Sequence, residues 1–205
     1  MLESGDTVNW AGRIFAEYHF FLLCDGPGLP AVPFDWSNGV LDAQDDTVVL
    51  FTGISSGGCA VAVQVRSTAP GEAVTDGWDD VVETSYHSRH GQLRMNSVLP
   101  YSGGGVPNIG GPLLTPDGPG DYRLRVHVRG RDTMIDGVPM EGPVEDYLLL
   151  IWPAPDAPVT VYKATDRYGA SVRQQPTEPR GPRPVDSTRD AQEEFLRRGP
   201  QSRRP

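Results

Sequence analysis

The chain predicts an all-β fold: an antiparallel β-sandwich of roughly seven to eight strands, followed by a disordered C-terminal tail. Three observations carry that expectation. Apolar residues recur with period two in segment after segment of the first 165 residues, with no helical spacing between them. Gly (24) and Pro (20) are both abundant, which favours turns over long helices. From Asp166 onward the chain turns to Pro, Arg and polar residues, which bury too little apolar surface to offset the entropy of ordering.

The elements follow in order. Residues 13–24 (RIFAEYHFFLLC) alternate weakly and end at the loop DGPGLPAVP. Asp35, Ser37 and Asn38 then supply turn and N-cap chemistry. Residues 47–54 (TVVLFTGI) and 59–66 (CAVAVQVR) read as a hairpin across SSGG, with Cys59, Val61, Val63 and Val65 on one face of its second arm. After an acidic loop, residues 81–88 (VVETSYHS) and 91–99 (GQLRMNSVL) read as another hairpin. A Gly/Pro loop leads to the strand at 121–129, and the loop GRDTMIDGVPMEGP leads to the last one, 145–153. Its run YLLLIW is apolar on both faces and belongs at the centre of a sheet.

Residues 1–165 form the expected body, large enough to bury about 70% of its unfolded-chain surface. In the tail, 166–205, one stretch has helix chemistry: residues 187–198, with Ser187 as N-cap and Arg197 and Arg198 at the end. Its apolar content, Ala191, Phe195 and Leu196, makes such a helix marginal alone.

Net charge is −9, divided unevenly: residues 1–166 hold nine basic groups against 22 acidic ones, and residues 167–205 nine Arg against five acids. An acidic body repels phosphate polymers and attracts basic proteins, so no direct nucleic-acid binding is expected of it. Arg123, Arg125, His127 and Arg129 alternate with Tyr122, Leu124, Val126 and Val128. This is an apolar stripe backed by a cationic ladder. The ladder is expected on the sheet's solvated side, opposite carboxylates of neighbouring strands, Glu145 and Asp146 among them. Without interleaved aromatics it does not fit an RNA-binding surface.

No reaction chemistry emerges. His87 and His90, three apart on a strand, face opposite sides and have no third ligand at metal spacing. GGGVPNIGG lacks the Lys-Ser/Thr of a phosphate loop, and there is no Gly-x-Ser-x-Gly. Cys24 and Cys59 lie in apolar runs and read as buried thiols. No catalytic, cofactor or metal site is therefore expected, and the function predicted is non-enzymatic protein binding. The candidate contacts are two acidic clusters, Asp42, Asp45 and Asp46, and Asp76, Asp79, Asp80 and Glu83 around Trp78. An aromatic anchor among acids would be steered onto a basic protein. The alternative is a carbohydrate or other small ligand stacked on Trp36, Trp78, Tyr86 and Tyr101. The first residues lack a basic n-region, and YLLLIW is too short to span a membrane, so the expected location is cytoplasmic.

Two stretches suggest a family. Tyr18, His19, Pro33, Asp35, Trp36 and Ser37 in order, and GDYRLRVHV at 120–128 before a last hydrophobic strand, resemble the competence protein J family, inhibitors of a DNA-entry nuclease. The resemblance runs over about residues 14–153 and implies an inhibitor of, or immunity protein against, a nuclease. It carries over no nuclease-contacting residue, and the family has neither the Gly/Pro insertion at 101–120 nor the Arg-rich tail.

Overall fold

The computed structural model describes residues 7–26, 30–96 and 111–176. The protein is all-β. Its strands are β1 (Thr7–Glu17), β2 (Phe20–Cys24), β3 (Leu41–Ala43), β4 (Thr47–Phe51), β5 (Ser56–Arg66), β6 (Asp80–Ser88), β7 (Arg94–Asn96), β8 (Gly120–Arg129), β9 (Asp146–Pro153) and β10 (Thr160–Ala164), followed by a short helix α1 (Arg167–Val172). They form one sheet in the order β10-β6-β8-β9-β5-β1-β2-β4-β3, with β7 also paired to β2. The sheet curls into a half-barrel, which corrects the expected sandwich.

The curl originates where one strand was expected at 13–24. Tyr18 and His19 both take positive φ (55° and 66°), as a two-residue hairpin turn requires, and split the segment into β1 and β2. These strands share a single register pair, Glu17 with Phe20. β1 then runs along β5, and β2 along β4. The sheet thus folds over, and its apolar faces meet: Ile14, Val61, Leu124, Val126 and Ile151 share a cluster with Phe21, Leu23, Val48 and Leu50. Each side chain of that size contributes about 1.5–3 kcal/mol by its burial.

Both expected hairpins are corrected. β4 is buried at every position and lies between β2 and β3, whereas β5 alternates and lies between β1 and β9. β6 pairs with β8 and β10, and β7 with β2. Adjacency in the chain does not fix pairing when one strand is covered on both faces and the next on one. β9 is central, as its continuous apolar run implies, but its pairing with β5 is parallel, so the sheet is mixed.

β8 keeps the expected stripe: Tyr122, Leu124, Val126 and Val128 are in the core. Its other face is not solvated, because Arg123, Arg125 and His127 are buried as well. Two loop segments cover them. Arg125 donates to the Gly71 carbonyl (3.2 Å), and Arg123 to the Ala157 carbonyl (2.7 Å). Of the two carboxylates expected by name, Asp146 pairs with Arg129 at 2.8 Å, whereas Glu145 is buried and accepts from Ile54 N and the Tyr147 hydroxyl. Glu83 on β6 accepts from both buried arginines.

The chain does not leave the body at Asp166. That residue caps α1, accepting from Gly169 N at 2.6 Å, and is itself buried. Tyr168 and Val172 pack with Leu22, Val49, Phe51, Phe34 and Trp36 in a second apolar cluster. The folded part therefore extends past 165, while the expected helix at 187–198 lies outside the described residues. At one end of the sheet β10 is an edge of five residues, broken by a register shift between Val161 and Lys163. Shortness, a bulge and a lysine each discourage edge-to-edge pairing.

Candidate interaction face

Of the seven acidic residues expected to form a contact surface, Asp42, Asp80 and Glu83 are buried, Asp46 and Asp79 are half-buried, and Asp45 and Asp76 are exposed. Asp80 is fully buried and pairs with Arg131 at 2.9 Å and Arg173 at 3.5 Å. Glu83 is held between Arg123 (2.9 Å) and Arg125 (2.8 Å). Burial raises the Glu83 pKa, but hydrogen bonds from Arg125 and Arg123, and their charges, outweigh it and hold the carboxyl below its ordinary value. Asp79 accepts from Gly130 N at 2.8 Å. Asp42 is buried and accepts from Asp35 N and Gln44 Nε2. Asp45 pairs with Arg89 at 2.7 Å, and Asp46 lies 3.8 Å from His90. Asp76 is exposed. Trp78 lies under the Arg129 guanidinium at 5.0 Å and beside His127 at 5.5 Å.

Among the described residues, the aromatics of the alternative reading do not converge. Trp36 packs on Phe51 with centroids 4.7 Å apart, Tyr86 is in the core, and Trp78 lies beside β8. Tyr101 lies outside the described residues. A shallow groove of about 370 Å³ is lined by Cys24, Asp25, Gln92, Arg94, Met95 and Asn96. Its carboxylate, Asp25, already accepts from Ser88 Oγ, His90 N and Gln92 N at 2.7–3.0 Å. Cys24 and Cys59 are free, and burial raises both thiol pKa values, Cys59 further. Among the described residues no cluster of three metal-ligating side chains occurs, and no helix is long and apolar enough to cross a membrane.

A different surface stands out, on the loop joining β8 to β9 beside the β1–β2 turn. Met134, Ile135, Val138 and Met140 are all exposed within seven residues, and Tyr18 on the neighbouring turn is 69% exposed. Among the described residues, the other exposed large apolar side chains are Val8, Val32 and Val74, each single, and Val159, Val161 and Tyr162 along the β10 edge. Scattered single residues need no explanation, but a contiguous group does.

The loop is held from beneath. Arg131, fully buried at its start, reaches Asp166 at 2.6 Å, Asp80 at 2.9 Å and the Gly39 carbonyl at 2.8 Å. Burial keeps the Asp166 carboxyl above its usual range, and Arg131 opposes that shift. Gly130 takes φ +87°, and a Cβ on Gly53 would collide with the Arg131 carbonyl, so both glycines are required. Backbone bonds then tie the loop down: Asp136 N to Gly53 O (2.9 Å), Gly137 N to Met134 O (3.0 Å) and Ser55 N to Gly137 O (3.0 Å). His19 completes the frame, with Nε2 3.2 Å from Asp136 and Nδ1 3.3 Å from the Thr52 carbonyl. Met134 and Ile135 are displayed on this braced segment, and Val138 and Met140 directly follow it; a held backbone lowers the ordering cost of binding.

Comparison with known proteins adds little to this geometry. No protein-family model matches the chain. No curated protein matches it either. A solved structure titled "Crocagin biosynthetic gene J" is similar over 73% of this chain and 99% of its own, at 20% identity and a TM-score of 0.46, too distant to carry an argument. The expected resemblance to competence protein J is overturned, since the comparisons return no link to that family. The stretches that suggested it have generic roles here. Tyr18 and His19 form a turn, and Asp35 accepts from Ser37 N (2.9 Å) in a side-chain-capped turn over the second cluster.

The loop face escaped the sequence reading because GRDTMIDGVPMEGP has no strand period. The available signal was four large apolar residues inside a Gly/Pro loop, where burial in a core is not the default.

Proposed function

We propose that the protein is a non-enzymatic binding module for another protein, with the braced loop between β8 and β9 and the adjacent Tyr18 turn as its contact face. The observation that carries this reading is the concentration of exposed Met134, Ile135, Val138 and Met140 on a loop whose backbone is tied down through Gly137. Exposed methionine and aliphatic side chains gain by being covered across an interface. The partner is basic. The described residues carry 20 acidic and 11 basic groups. Six acids and three bases are buried, which leaves 14 accessible acids against eight accessible bases. Such an excess speeds encounter with a cationic protein.

The test compares the full chain with its Ile135→Asp/Met140→Asp variant in recovering a stoichiometric partner from the cells of origin. Both sites are exposed, so folding stability should change by no more than about 0.5 kcal/mol each. Recovery should fall at least about tenfold, corresponding to ~1.4 kcal/mol of binding energy. Undiminished recovery by a folded double variant would remove the loop from the contact.

A further inference from the structure

The shape and charge of the loop specify what receives it. We propose that residues 132–141 act as a projecting key that inserts into a concave, cationic, apolar-walled cleft of the partner protein. This rests on the reading of the loop as the contact face and adds the form of the surface opposite.

Shape argues first. Met140 is 89% exposed, and the Asp136 side chain is 79% exposed at the turn between Ile135 and Gly137. Side chains that open to solvent stand out from the surface and do not line a groove. An amphipathic helix or extended peptide would need a groove for its anchors, whereas a projecting apolar turn needs a recess. The backbone bonds to Gly53, Met134 and Gly137 already hold the turn, so it can enter a cleft without being reordered.

Charge then excludes two other occupants. The segment DTMIDGVPMEGPV contains Asp132, Asp136 and Glu141 and no Lys or Arg. Asp132 is occupied, accepting from the backbone N–H groups of Arg167 and Tyr168 at 2.9 Å. Asp136 meets His19 at 3.2 Å but keeps most of its surface in water. Glu141 is exposed. Anionic membrane surfaces attract basic segments, and this one would be repelled. A second copy meeting this loop through its own loop would set the same carboxylates against each other, at a cost. A cleft bearing Lys or Arg at its mouth and apolar walls within satisfies both parts of the key: Ile135, Val138 and Met140 enter, while Asp136 and Glu141 meet the rim.

A photoreactive benzoylphenylalanine at position 138 of the full chain tests this, with the same residue at position 74 as a control, both produced in the cells of origin. The adduct from 138 should map to a recess flanked by Lys or Arg in a single protein. Its yield should fall at least about tenfold with Asp136→Lys, and less with Asp136→Asn. An adduct from 138 on a flat, helical or acidic surface of another protein would overturn the key while leaving protein binding intact. Adducts on a second copy or on lipid would overturn both proposals. Adducts from 74 but not from 138 would remove the loop as the contact, and none from either position would remove protein binding altogether.

Discussion

Arg131→Met should lower folding stability by about 3–5 kcal/mol, a large part of the ~5–15 kcal/mol available to a domain. The Arg131 side chain is wholly buried and serves four partners: Asp166 at 2.6 Å, Asp80 at 2.9 Å, and the carbonyls of Gly39 at 2.8 Å and Phe51 at 3.4 Å. Methionine restores volume but leaves two buried carboxylates facing each other, with only Arg173, 3.5 Å from Asp80, to balance them. The penalty arises from those uncompensated charges more than from the value of the ion pairs. Adding Asp80→Asn and Asp166→Asn to Arg131→Met should therefore recover part of the loss. Urea unfolding of the three proteins checks this, and a single variant within about 1 kcal/mol of the parent would show that the cluster does not organise the fold. α1 and the β8–β9 loop should loosen together, because Arg131 joins them through Asp166, leaving the Asp132 contacts to Arg167 and Tyr168.

Glu83→Gln should cost a similar ~3–5 kcal/mol, since it leaves Arg123 and Arg125 buried without their shared carboxylate. Arg125 is further enclosed between the rings of Trp152 (5.4 Å) and Tyr162 (5.2 Å), so it cannot swing out to water. The pH dependence has a definite sign. The folded pKa of Glu83 lies below its ordinary value of 4.5. Its contribution is therefore present above pH 4.5 and is lost as pH falls through the folded pKa. The parent should lose stability relative to Glu83→Gln over that acid range, so their unfolding midpoints should converge on acidification. A gap that stays constant would show that Glu83 does not stabilise through its charge.

Much of the fold is legible in single segments, and little of it in their pairing. β8 and β9 announce themselves because one alternates and the other is apolar throughout, and both patterns follow directly from the two faces of a sheet. The link from β8 arginines to carboxylates on adjacent strands is legible too, as Arg129 with Asp146 shows. What is hidden depends on distant residues. Nothing local distinguishes Asp80 and Glu83, which are buried, from Asp76, which is exposed. Their fates are decided by where Arg131, Arg123 and Arg125 arrive. The same holds for Asp166: the segment beyond it looks unable to fold alone, yet it folds against a groove supplied by β2 and β4. The candidate face is the converse case, since apolar residues in an aperiodic loop have no strand period to mark which way they face, and the frame beneath them decides it.

The most direct test of the account is backbone hydrogen exchange of the full chain, free and bound to its captured partner. Added protection should appear in peptides covering residues 132–141 and the turn at Tyr18, with residues 72–79 unchanged. Protection confined to 72–79 around Trp78, with the 132–141 loop exchanging as in the free protein, would contradict it.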